Sequence, residues 1–120
     1  MVYARTENRL TLVNEPTRIA DHLTAILVGG HSPGEMVLAV RVVKWPIVLV
    51  VDAAHFGVQL ENGRPFFAFH RPRADARHLC RPTVLARDLD AIVVPGHDAR
   101  PRERFPYAAS SAGRIVVVLG

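Results

Sequence analysis

Val28-Gly29-Gly30-His31-Ser32-Pro33-Gly34 is the stretch from which the rest of the chain is read. An apolar run, Ala25-Ile26-Leu27-Val28, stops there at two glycines, a histidine and a second turn signal. Gly-Gly and Pro-Gly both mark turns, so His31 falls in a tight loop just beyond a buried strand. A histidine held between rigid structure and solvent suits metal ligation, although one taken alone reads more readily as a hydrogen-bonded loop residue. Two later stretches repeat the arrangement: Val50-Val51-Asp52-Ala53-Ala54-His55 and Val93-Val94-Pro95-Gly96-His97-Asp98. Each is an apolar strand that carries a metal-ligand residue type at its C-terminal end.

The composition bounds what such loops can belong to. A chain of 120 residues, 49% hydrophobic and 22% charged, has room for one modest globular domain. No apolar run approaches the roughly 20 residues that span a bilayer. The first residues, Met1 to Arg9, lack the apolar centre of a signal peptide, so the expected location is the cytoplasm. Cys80 is the only cysteine, which rules out an intrachain disulfide and a cysteine-based zinc knuckle. The formal net charge is +4, Lys44 is the only lysine, and the positive charge concentrates between Arg64 and Arg104. Arginine-rich, alanine-rich usage also follows from GC-rich coding, so the charge does not by itself assign a nucleic-acid partner.

Working outward along the chain, Arg9 to Val13 alternates and predicts a short strand, with Asn14-Glu15-Pro16 as its turn. Arg18 to Leu23 reads as a connector before the strand Thr24–Val28. Met36 to Val43 is long and β-rich, and Ile47 to Val51 is wholly apolar, which predicts burial on both faces. Joined only through Lys44-Trp45-Pro46, these two strands should pair as a hairpin. From His70 to Pro82 the chain has no clear hydrophobic period, and reads as a divergent insert or a frame-shifted stretch. Ala74 to Cys80 allows at most two helical turns, and Thr83 to Leu89 one further turn capped by Thr83. Ala91 to Val94 is a buried strand, Arg100 to Ala109 permits only a short helix, and Arg114 to Leu119 is a last strand. The sum is a strand-rich α/β chain without repeats or linkers.

Asp52 follows His31 by 21 positions, and His97 follows Asp52 by 45. Such spacings form no local finger; they act together only if a sheet brings the strand ends to one edge, where open α/β sheets place their sites. Two imidazoles and a carboxylate suit zinc, iron, manganese or cobalt. Each residue also has a plainer use: Asp52 as a turn cap, His97 as a turn residue, His55 as a surface residue.

Together, the elements Gly29 to Gly34, Val51 to His55 and Val94 to Asp98 resemble the C-terminal half of a metallo-β-lactamase-fold hydrolase. The nearest subgroup is the N-acyl homoserine lactonases, the quorum-quenching enzymes. The resemblance covers roughly residues 8 to 119 and implies an αβ half of an αββα sandwich. It implies His31 and His97 as metal ligands and Asp52 as a carboxylate bridging two divalent ions, zinc foremost. His55 then stands where the family positions and polarises a lactone or ester, and Glu61 to Phe66 resembles its substrate-side loop.

The chain departs from that pattern in defined ways. The family's His-X-His-X-Asp-His motif, which supplies most ligands of both metals, is absent, and Glu35 stands in place of the usual second histidine of the first element. The expectation is therefore a single partial domain over residues 1–120, binding metal weakly and nearly inactive without an N-terminal half or a dimer partner. Two other readings stand beside it: a metal-free relic kept as an interaction module, and a small basic nucleic-acid-binding domain.

Overall fold

Five apolar segments pair into one mixed sheet. The computed structural model describes residues 10–64, 72–106 and 118, with the backbone path alone for residues 72–79. The strands are β1 (Thr17–Ala20), β2 (Leu23–Leu27), β3 (Met36–Val40), β4 (Ile47–Val51) and β5 (Ile92–Pro95). They lie side by side in chain order; the first four form an antiparallel meander and β5 joins β4 in parallel. The helices are α1 (Gly57–Asn62), α2 (Pro72–Asp88) and α3 (Arg100–Arg104).

The β3–β4 hairpin forms as expected, with Leu38 opposite Leu49 and Val40 opposite Ile47. Its strand β3 is shorter than the sequence indicates, because Arg41 to Pro46 form the link and Val43 is fully exposed. The strand expected over Arg9–Val13 is not formed at residues 10–13; Arg9 lies outside the described residues. Leu10 and Leu12 stay exposed there, so the alternation buries no apolar row among the described residues. The edge strand is instead β1, in the segment expected to be a connector. Asp21-His22 turns it back onto β2, with Arg18 reaching Asp21 at 2.5 Å.

The segment expected as two helical fragments is one helix of 17 residues, α2, running through Pro82. Proline removes one amide donor from a helix and crowds the preceding turn. Burial compensates: Pro82 and Ala86 are buried and Leu85 half-buried, at helical spacing, and Ala86 and Leu85 join the core of Val48 and Val50 of β4. The helix ends in a Schellman arrangement, with Asp90 left-handed at φ 50° and the Ala91 and Asp90 amides donating to the Ala86 and Arg87 carbonyls. The strand expected over Arg114–Leu119 lies outside the described residues apart from Val118, whose amide donates to the Pro106 carbonyl at 2.8 Å.

Register assigns the two sheet faces. Ile26, Val37, Val48 and Val93 share the face covered by α2, with Leu60 of α1 also packed against that core. The opposite face carries Leu23, Val40, Ile47 and Ile92 in one row, and Ala25, Leu38, Leu49 and Val94 in the next. Both faces are apolar, the pattern of strands meant to be buried on two sides. Among the described residues, no helix is long and apolar enough to cross a membrane.

Candidate metal centre

Because the meander reverses direction at each strand, β2, β4 and β5 all run the same way and end at one edge of the sheet. His31 lies beyond the end of β2, Asp52 and His55 beyond β4, and His97 beyond β5. This is the arrangement on which the long sequence spacings depend. The first loop needs its glycines: Gly29 and Gly30 have φ 67° and 112°, conformations that side chains rarely adopt. The loop closes on itself, the Val28 and Gly29 amides donating to the Glu35 carbonyl at 2.9 and 3.0 Å.

The second loop begins at a strained residue. Val51 has φ 46°, a left-handed conformation that is unusual for a β-branched side chain, immediately before Asp52. The third loop is stitched to it through main-chain bonds. Gly96 N donates to the Val51 and Ala54 carbonyls at 3.2 and 3.3 Å, and His97 N to the His55 carbonyl at 2.9 Å. Gly96 passes so near that a Cβ there would meet the Val51 oxygen at 2.4 Å.

These loops bring Asp52, His55 and His97 together. His97 Nε2 lies 2.8 Å from Asp52 Oδ1 and His55 Nε2 lies 4.0 Å from the same oxygen. Donor atoms of the three residues all fall within 4.8 Å of one another. The His55 and His97 rings stack with centroids 4.6 Å apart and planes 19° apart. His31 stands outside that group, edge-on to His55 at 5.6 Å.

The electrostatics fit a cation site. The hydrogen bond with His97 holds the Asp52 carboxyl below its ordinary range, against the cost of burial and with help from the positive potential of His55. Burial, then the neighbouring His97 charge, lowers His55 and favours its neutral, donor-competent form. The donor chemistry, two imidazole nitrogens and one carboxylate oxygen, suits a zinc-like ion that takes three protein ligands and leaves a position open. Zinc–ligand bonds of about 2.0–2.2 Å would set donor atoms roughly 3.3 Å apart, within the span these three already occupy.

Two parts of the site carried no role in the sequence reading. Glu35, just before β3, stands beside Asp52, His31 and the Ser32 hydroxyl; burial first, then the Asp52 charge, raises its carboxyl above the ordinary value. Asp98 knots the loops from behind. Its Oδ2 accepts from Gly57 N at 2.8 Å and from Arg100 Nε at 2.8 Å, and Arg100 Nη1 continues to Glu61 at 2.9 Å. The Arg100 guanidinium holds the Asp98 carboxyl well below the usual carboxylate range. The signal for Asp98 was its place in the Gly-His-Asp element, but its partner Gly57 is 41 positions away. Of the expected substrate-side segment, Glu61 and Asn62 end α1, Gly63 caps it at φ 61°, and residues 65–66 lie outside the described residues.

No family model matches the chain, and no curated protein matches it. Solved structures do. One is an N-acyl homoserine lactone hydrolase with its product, N-hexanoyl-L-homoserine, at the catalytic metal centre. It matches with a TM-score of 0.70 and 19% identity over 88% of this chain and 41% of its own. An AiiA point variant of Bacillus thuringiensis, with N-decanoyl-L-homoserine at its active site, gives the same figures. A Staphylococcus aureus protein described as a probable metal-dependent hydrolase matches with a TM-score of 0.64 and 18% identity, over 77% of this chain and 33% of its own. At such identities the likeness is one of fold. The mixed five-stranded sheet with its helices has the fold of part of that lactone hydrolase. The chain spans about two fifths of the lactone hydrolase it matches.

Proposed function

We propose that the chain is part of a metal-dependent hydrolase of lactones or esters, of the N-acyl homoserine lactonase kind. The observation that carries this reading is the convergence of Asp52, His55 and His97 at one sheet edge of a lactonase-type αβ half. In the complete site Asp52, His31 and His97 would hold the divalent cations, most suitably zinc, with Asp52 as the shared carboxylate. A bound divalent cation there supplies Lewis acidity to the reacting carbonyl and to the attacking water. The chain's own residues prepare that chemistry. Asp52, held anionic, draws the cations in, and His97 is aligned on it by their hydrogen bond. His55, kept neutral by burial, offers a hydrogen bond to the substrate carbonyl or leaving oxygen.

Residues 1–120 form a single partial domain in this reading, and the remaining ligands come from an N-terminal half or a second copy. The apolar rows of the second sheet face, from Leu23–Ile92 to Ala25–Val94, are suited to packing against such a partner. The location that goes with it is the cytoplasm.

The test is lactone opening measured by chromatography on N-hexanoyl-homoserine lactone with zinc. The chain is assayed alone and co-expressed with the N-terminal half of an N-acyl homoserine lactonase. Turnover that needs both halves, needs zinc and disappears with Asp52→Ala is the expected result. Full complementation by Asp52→Ala, or no turnover in any combination, would overturn the reading.

A further inference from the structure

We propose that His55 is itself a metal ligand in this chain, closing with Asp52 and His97 a mononuclear site for a first-row divalent cation such as zinc. The inference rests on reading this edge as a metal centre, but it gives His55 a different role and needs no ligand from another half.

The placement of the donors carries it. Nε2 of His55 lies 4.0 Å from Asp52 Oδ1, Nε2 of His97 lies 2.8 Å from it, and the three donors fit within 4.8 Å. Among the described residues His31 joins no such donor group; its ring meets the edge of His55 at 5.6 Å. The two ligand histidines are also fixed relative to each other. Their rings are nearly parallel, and the His97 amide bonds directly to the His55 carbonyl at 2.9 Å. The His55 side chain, only 14% exposed, has little freedom left to lose on binding, and His97, 55% exposed, is held by its hydrogen bond to Asp52. Behind them, Asp98 binds the Gly57 amide two residues after His55, so one carboxylate steadies both histidine-bearing loops. With three protein ligands, a fourth position stays open to water or to a carbonyl oxygen.

The experiment titrates the whole purified chain with Zn²⁺ by calorimetry and with Co²⁺ by visible absorption. Wild type is compared with His55→Ala, His55→Gln, His31→Ala and, as a neutral control in the β1–β2 turn, His22→Ala, each checked by circular dichroism. The expected result is one ion per wild-type chain, with His22→Ala binding within about twofold of it. Both His55 variants should lose more than about 100-fold, since even groups that only support a ligand are worth 10–100-fold. In labelled wild-type chain, the His55 and His97 Nε2 resonances should shift on zinc addition, a readout that needs no variant. Loss of binding in His31→Ala with retention in the His55 variants would overturn this assignment and leave the lactonase-type ligand set standing. Absence of zinc binding by a folded wild-type chain would overturn it outright, whatever a complemented site then does.

Discussion

Replacing Gly96 by alanine strikes the closest main-chain approach at the site. A Cβ at Gly96 would lie 2.4 Å from the Val51 oxygen, 2.7 Å from its carbonyl carbon and 3.1 Å from its Cα. These are backbone atoms, so no side chain can swing away, and restoring contact at about 3.5 Å requires a shift of roughly 1 Å between β4 and β5. Overpacking of this kind costs about 1–3 kcal/mol. The same shift lengthens the two bonds from Gly96 N, which start at 3.2 and 3.3 Å, and each is worth about 0.5–1.5 kcal/mol. The expected loss is therefore about 2–4 kcal/mol, a large part of the roughly 5–15 kcal/mol that holds a domain together. With a urea slope of about 1–3 kcal/mol/M, the unfolding midpoint should fall by on the order of 1–2 M. Gly34→Ala is the internal control, because a Cβ there meets nothing within 4 Å; it should be neutral or stabilise by up to about 1 kcal/mol. Urea unfolding followed by circular dichroism measures both. Unfolding free energies for the two variants that agree within about 0.5 kcal/mol, a difference typical of surface changes, would refute the reasoning that this approach admits only glycine.

Two further outcomes follow from the ion-pair network and from the sheet's second face. Asp98 has a depressed pKa in the fold, so its carboxylate contributes stability fully above the unfolded value near 3.9 and loses it as pH falls towards the folded one. Asp98→Asn should cost about 1–3 kcal/mol at pH 7 in urea unfolding, and its difference from wild type should shrink from about pH 5 to pH 2; a gap that widens on acidification contradicts the pairing. Leu38→Glu places a charge in the middle of the second apolar face, opposite Leu49 and away from the core of Val37 and Val48. It should reduce hydrophobic-dye binding and self-association in sedimentation while the circular dichroism is kept; dye binding equal to wild type would show that the face is not open to solvent.

The strand ends that build the site were legible because their signals are local. Five apolar residues from Ile47 to Val51, broken from their partner strand by Trp45-Pro46, define a buried hairpin strand without help from the rest of the chain. The glycines at 29 and 30 announce a turn that only they can make. What escaped is what depends on partners. Leu10 and Leu12 alternate like a strand but pair with none among the described residues, whereas Thr17–Ala20 acquires its form from β2. The α2 segment carries prolines and arginines that argue against a helix, and only the burial of Pro82 and Ala86 shows which side outweighs them. Glu35 reaches the site because β3 starts at the edge where β2 and β4 end, a fact of topology that spacing does not contain. The residue types of the centre were readable for the same reason as the strands; the grouping of His55, rather than His31, with Asp52 and His97 is set by loop geometry of a few ångströms.

The parallel pairing of β4 with β5 has a consequence for the order in which the molecule assembles. The β1–β4 meander closes through short connections, whereas β5 reaches β4 only after the intervening stretch that contains α1 and α2. Long-range pairing of this kind is paid for in loop entropy before it is rewarded, so contact order predicts that β5 docks late. Asp52 and His55 belong to the end of the meander and His97 to the strand that docks last. The three donors therefore report on completion of folding: partly folded chains present two of them at most, and a cation that prefers all three acts as a trap for the final step, drawing the population forward by mass action.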